Sequence, residues 1–303
     1  MTSAAFTGVS AFPLTPLRDD ALDRDAYAGL VERLARSEAD TITALGSTGC
    51  APYLSRAERA EAVRIAVESA GEKPVLAGIG ALRASEVRAL AADAQEAGAA
   101  GLLLPALSYQ PLTHDEVFAL FEALTAEVSV PVVVYDNPTT TGFAFTDDLL
   151  ERVAALPHIA SIKIPGVPAE PLAARERLRA LRGRIPESVS VGISVDPLAA
   201  AGLAAGCAVW YSVVGGLFPR AAMAIAEPAG RGDHTAAAVA SERLEPLWQL
   251  FRTHGSLRVV AALAGHLGLT ADDPLPRPLR ALEGDARRRA VEVAHELGLD
   301  EEL

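Results

Sequence analysis

Short runs of consecutive apolar residues alternate with longer stretches in which apolar positions recur every three or four residues, from residue 7 to about residue 230. The short runs predict strands buried on both faces, and the longer stretches predict amphipathic helices. The strand runs are TGVSAFPL (7–14), TITALG (41–46), PVLAGIG (74–80), GLLLP (101–105), PVVVYDN (131–137), IASIKIP (159–165), VSVGIS (189–194) and AVWYSVV (208–214). Helical stretches such as SRAERAEAVRIAVESA (55–70) and ASEVRALAADAQEAG (84–98) lie between them. Ser55, Ser85 and Thr113 read as N-caps, and Glu58 and Glu116 follow two of them by three residues, the spacing of a capping box.

Continuous apolar strands that alternate with helices imply a parallel sheet covered on both faces. The eight units match a closed α/β (β/α)₈ TIM barrel in count and size. A doubly wound open sheet is the alternative. It would want a G-x-G-x-x-G fingerprint after the first strand, where the chain instead reads AFPLTPLRDD. From about residue 232 the strand signals stop and a helical pattern continues through HTAAAVASERLEPLWQLFRTHGSLRVVAALAGHLGL. The expected organisation is a barrel over 1–231 and a C-terminal helical extension over 232–303 packed on it.

Composition narrows the function classes. Half of the 303 residues are hydrophobic and 22% are charged, enough for a large core. A formal charge of −12 argues against nucleic acid or an anionic membrane as partner. No apolar stretch reaches the roughly 18 residues of a membrane span. The opening MTSAAFTGVSAFPL has no basic region ahead of a long apolar run, so no signal peptide is expected. Cys50 and Cys207, the only cysteines, stand far apart in sequence and fit reduced thiols in a cytoplasm. The six histidines (114, 158, 234, 254, 266, 295) show no metal-ligand spacing, and no metal or other cofactor is expected.

The chain writes its cations as arginine: of 27 lysines and arginines only Lys73 and Lys163 are lysines. Yet Lys163 sits in the sixth apolar run, where an ionised ammonium is expensive to bury. A desolvated lysine can lose its proton and attack a carbonyl, which a guanidinium cannot do. Chemistry in such barrels sits at the C-terminal ends of the strands. Strand alternation groups Ile159, Ser161 and Lys163 on one face and Ala160, Ile162 and Ile164 on the other. The apolar face belongs against helices, so Lys163 points inward. The same rule turns Val133 and Tyr135 inward, setting a phenol beside the amine as a proton shuttle. The second run ends in GSTGC, where Gly46, Ser47, Thr48 and Gly49 form a turn able to hold a carboxylate through amides and hydroxyls. VVGG (213–216), after the eighth run, lies where barrels hold phosphate, but without a basic neighbour it reads as a tight turn.

Together, GSTGC, YDNP (Tyr135 to Pro138) and SIKIPG resemble the family of dihydrodipicolinate synthase and N-acetylneuraminate lyase. That family carries a G-x-T-G-E loop after strand two, a tyrosine in Y-x-x-P at strand five and a lysine in strand six. The resemblance implies a class I, metal-free lyase in which Lys163 forms a Schiff base with C2 of pyruvate or another 2-oxo acid. It implies that Ser47 and Tyr135 relay protons, that Thr48 binds the carboxylate and that Tyr211 lines the site through its backbone. The resemblance also sets Tyr109 against a tyrosine that family members lend across a subunit interface, and implies a homo-oligomer, commonly a tetramer built from dimers.

Two departures bear on the second substrate, an aldehyde. Cys50 replaces the family glutamate, and Thr140 stands where dihydrodipicolinate synthases carry an arginine that pairs with the carboxylate of aspartate semialdehyde. A threonine hydroxyl does not replace a bidentate clamp. The sequence therefore favours an aldolase or dehydratase acting on another 2-oxo acid over 4-hydroxy-tetrahydrodipicolinate synthase. The readings from other classes are a non-catalytic 2-oxo acid binding protein and an unrelated barrel holding a phosphorylated ligand at VVGG.

Overall fold

The computed structural model describes residues 6–302, so the segment read for a signal peptide begins outside the described residues. Eight parallel strands close into a barrel: β1 (Gly8–Ala11), β2 (Thr41–Ala44), β3 (Val75–Gly78), β4 (Gly101–Pro105), β5 (Val132–Tyr135), β6 (Ile159–Ile164), β7 (Ser190–Ile193) and β8 (Val209–Ser212). Each pairs with the next and β8 pairs with β1, which removes the open-sheet alternative. All eight predicted runs contain a strand, and most overshoot it. In the first run Phe12 and Leu14 are buried, but beyond the strand, with Pro13 between them. There the apolar signal continues while the ladder stops, because proline has no N–H to give it.

Alternation fails once. Val132 pairs with Ile159 but Val133 pairs with Ser161, so Ala160 is an extra residue on β6. The bulge corrects the predicted faces: Ile159 joins the helix-side core, and Ala160 packs on the barrel-interior cluster of Val133, Tyr135 and Tyr211. Beyond the bulge alternation resumes, with Ile162 and Ile164 in the helix-side core. Lys163 then falls in register with Tyr135 and Gly192.

The capping boxes at Ser55–Glu58 and Thr113–Glu116 are present. Ser85 is a correction. The helix it was read to start runs Ala84–Glu96 with Arg83 at the cap, so Ser85 lies in the first turn. No glutamate or glutamine stands three residues beyond Ser85 to complete a box.

After the barrel come helices His234–Arg243, Glu245–His254, Ser256–His266 and Gly284–Glu296. Their Leu247, Trp248, Val260 and Leu263 belong to the same continuous core as the outer faces of the strands. Among the described residues no helix is long and apolar enough to cross a membrane.

Candidate active site

Lys163 is delivered by β6 to the barrel interior, 3% exposed. Its Nζ lies 4.0 Å from the ring centre of Phe12, 4.2 Å from that of Tyr135 and 5.6 Å from that of Tyr211. Two glycines make room for this cage. A Cβ on Gly46 would meet the Phe12 ring at 2.5 Å, and one on Gly192 would meet Tyr211 at 2.5 Å. Burial pushes the Lys163 ammonium down from its ordinary value, opposed by the charges of Tyr135 and Asp196. Lys73 is spent elsewhere: its ammonium donates to the carbonyls of Ser37 and Ala39, ahead of β2.

The Tyr135 hydroxyl lies 3.0 Å from Ser47 Oγ and accepts from Asn137 Nδ2 at 3.0 Å. Burial alone would raise this phenol. Lys163 and the hydrogen bonds of Ser47, Asn137 and Thr140 outweigh it and hold the phenol below its ordinary value. That pull needs the ammonium, so once burial has cost Lys163 its proton only the hydrogen bonds remain to offset the burial of the phenol. Beneath them the Tyr211 hydroxyl donates to Ser161 Oγ at 2.7 Å, which also accepts from Ser190 Oγ at 2.8 Å. Tyr211 thus reaches the site with its ring, not only through its backbone.

The GSTG turn sits over this group. Thr48 is buried, and the amides of Ser47 and Thr48 donate to no partner among the described residues. Cys50 closes the turn with φ near 52°, its buried thiol pushed up to about 12 and so neutral. VVGG does form a tight turn, at Val214–Gly216. The amides of Val213 and Val214 are taken by the Asp196 carboxylate at 3.2 and 2.8 Å, leaving neither for a phosphate. Asp196 also accepts from Trp210 Nε1 at 2.9 Å, and its burial raises it to about 6.

Lys163, Tyr135, Ser47, Thr48, Gly46 and Tyr211 are therefore brought together. Thr140 is exposed on the one-turn helix Pro138–Thr141 next to them. Tyr109 is not brought in within one chain: it is 85% exposed on the loop after β4. Phe12, Asn137 and Asp196 were missed. Each follows the end of a barrel strand closely, a positional signal that could have found all three. Among the described residues no three His, Cys, Asp or Glu side chains gather as metal ligands. A buried amine that sheds its proton, beside a phenol that can give one up and take it back, is equipped to form and break carbinolamines.

Residues 5–297 match the profile of the dihydrodipicolinate synthetase family. The 4-hydroxy-tetrahydrodipicolinate synthase of Rickettsia rickettsii (strain Sheila Smith) is 26% identical over 295 residues, spanning 97% of this chain and 98% of that protein. A crystal structure of dihydrodipicolinate synthase from Agrobacterium tumefaciens str. C58 is 40% identical with a TM-score of 0.93, covering 97% of this chain and 99% of that one. The dihydrodipicolinate synthase structure from Aquifex aeolicus, 24% identical over 97% of this chain and 99% of that one, shares the fold at a TM-score of 0.89.

Proposed function

Since the chain belongs to the dihydrodipicolinate synthetase family and is an enzyme of class I lyase type, we propose that it makes or breaks a bond of a pyruvate-type 2-oxo acid through Lys163. The neutral Lys163 amine attacks C2 of the 2-oxo acid. The resulting carbinolamine loses its hydroxyl as water, with a proton supplied by Tyr135, and an iminium remains. Loss of a C3 proton then gives an enamine that adds to an aldehyde, and cleavage runs the same steps backwards. Thr48, Gly46 and the amides of the turn hold the carboxylate, and Ser47 passes protons to and from Tyr135.

The observation that carries this reading is the burial of Lys163 against Tyr135, which in turn contacts Ser47. The reading takes in a cytoplasmic homo-oligomer, with Tyr109 reaching a neighbouring subunit's site. A second reading, condensation of pyruvate with aspartate semialdehyde, is favoured by the names of the relatives. Thr140 weighs against it.

Sodium borohydride added with pyruvate tests the mechanism. The expected outcome is one reduced adduct per chain, mapped to Lys163 and absent in Lys163→Arg. Trapping should rise with pH as the ammonium loses its proton, and burial places that rise below the pH of an ordinary lysine. An adduct on Lys73, or none with any 2-oxo acid, would sink the reading.

A further inference from the structure

Asn137 stands at the N-cap of the one-turn helix Pro138–Thr141, yet its side chain caps nothing. An asparagine there ordinarily accepts from the amide two or three residues on. The amides of Thr140 and Thr141 bond instead to the Asn137 carbonyl, each at 3.0 Å. The freed side chain turns back into the barrel mouth, where Nδ2 donates to the Tyr135 hydroxyl at 3.0 Å and Oδ1 accepts from Thr139 Oγ1 at 2.7 Å. A good capping residue has given up its cap to reach one phenol.

We infer that Asn137 is a positioning residue that holds the Tyr135 oxygen as a hydrogen-bond acceptor and so favours its deprotonated form during proton transfer. This deepens, and rests on, the role proposed above for Tyr135. An amide N–H can only donate, so the phenol proton is directed away from Asn137, towards Ser47 or the substrate. When Tyr135 gives that proton to the departing carbinolamine hydroxyl, the C–O bond breaks and water leaves. A phenolate then remains beside the Lys163 iminium, and Asn137 and Ser47 can both donate to it. The phenolate next removes a C3 proton, which restores the phenol and yields the enamine.

Several groups surround this phenol. Lys163 comes from β6, Tyr211 from β8 in the same interior cluster, and the Ser47 hydroxyl from the turn after β2, in which Cys50 bonds to the Thr48 carbonyl instead, while Asp196 acts from beyond β7 through Lys163. Burial keeps Tyr211 and Cys50 neutral. Asp136, on Tyr135's own segment, accepts from the Phe145 amide and interacts with Arg177. Lys163 and the hydrogen bonds of Ser47, Asn137 and Thr140 are therefore what moves the phenol, and the Asn137 side chain can be changed while the other three stay.

Two variants separate donation from shape. Asn137→Val removes the amide. Asn137→Asp keeps its size and the acceptor for Thr139 but replaces the donor with a charge that opposes a phenolate. The readouts are exchange of pyruvate C3 protons with deuterium oxide, followed by nuclear magnetic resonance, and the ultraviolet tyrosinate titration of the resting protein, assigned by difference against Tyr135→Phe. Both variants should exchange pyruvate about tenfold more slowly at saturation, with half-saturation within about twofold. The tyrosinate inflection of both should move to higher pH. An Asn137→Asp protein that matches the unmodified enzyme in exchange and titration would overturn the inference, as would an inflection that moves down. If the unmodified enzyme neither exchanges nor traps pyruvate, the proposed function fails. The tyrosinate titration then still decides whether Asn137 holds the phenol.

Discussion

A lysine kept in a barrel interior is defined by what surrounds its amine. Around Lys163 stand three aromatic rings, a set that favours a cation by its ring faces and disfavours it by excluding water. Burial is the larger influence on the free amine. In the iminium the positive charge is part of the covalent bond, so desolvation cannot remove it by deprotonation and the ring faces act in its favour. The same scale decides the second substrate. Thr140 offers an exposed hydroxyl where the aspartate-semialdehyde enzymes offer a guanidinium, and losing a charge-assisted clamp costs about 1.5–3 kcal/mol, roughly ten- to a hundredfold. The kcat/KM of the unmodified enzyme for aspartate semialdehyde with pyruvate should therefore fall below about 10⁴ M⁻¹s⁻¹. Thr140→Arg should raise it by about the same ten- to a hundredfold, since the side chain starts from an exposed position. A value at or above that threshold without the substitution would reinstate the synthase. The placement of Lys163 in the barrel interior was legible because residue scarcity and strand position coincide there, and that of Tyr135 followed from alternation along its strand, whereas Ser47 stood out only through the GSTGC motif. The position of Asn137 just past a barrel strand marks it as a candidate, but nothing in YDNP tells a capping asparagine from one that turns back to the phenol.

Elements were legible wherever burial is uniform. Strands covered on both faces write themselves as unbroken apolar runs, and GLLLP is a strand from its first letter to its last. The Ala160 bulge left no trace, because an extra alanine in an apolar run is one more apolar letter. It decides which face Ile159 takes, yet leaves Lys163 pointing inward, since alternation restarts at Ser161. Caps show the same limit. Ser55 and Ser85 both read as caps, but only Ser55 has a glutamate three residues on: its hydroxyl accepts from the Glu58 amide, and the Glu58 carboxylate accepts from the Ser55 amide at 2.8 Å. Ser55→Ala should cost about 1 kcal/mol in urea unfolding at unchanged activity. Ser85→Ala should fall within about 0.5 kcal/mol of zero, the range of an ordinary surface change. Equal losses at the two sites would show that the reciprocal bonds at Ser55 contribute nothing.

At the scale of the molecule, the C-terminal helices complete the barrel's own core. Helix His234–Arg243 packs on helices Ala199–Ala205 and Pro219–Gly230, and helix Glu245–His254 packs on the turn that begins at Asp196. The Leu17 N–H, just past the active-end loop of β1, donates to the Pro274 carbonyl at 2.8 Å. The extension therefore braces two parts of the mouth. Leu247, Trp248, Val259, Val260 and Leu263 are each nearly inaccessible. Burying a side chain of this kind contributes about 1.5–3 kcal/mol. Five of them rival the roughly 5–15 kcal/mol by which a folded chain exceeds its unfolded state. We propose that the segments 1–231 and 232–303 are one cooperative unit despite their different architecture. Calorimetry should then record a single unfolding transition that also carries the loss of the Trp248 fluorescence signal, isolated with Trp210→Phe. The chain cut after residue 231 should lack the near-ultraviolet circular dichroism of a packed core. A separate, earlier transition for the helices, with the barrel still trapping pyruvate at Lys163, would mean that the extension is an independent domain and that the mouth stands without it.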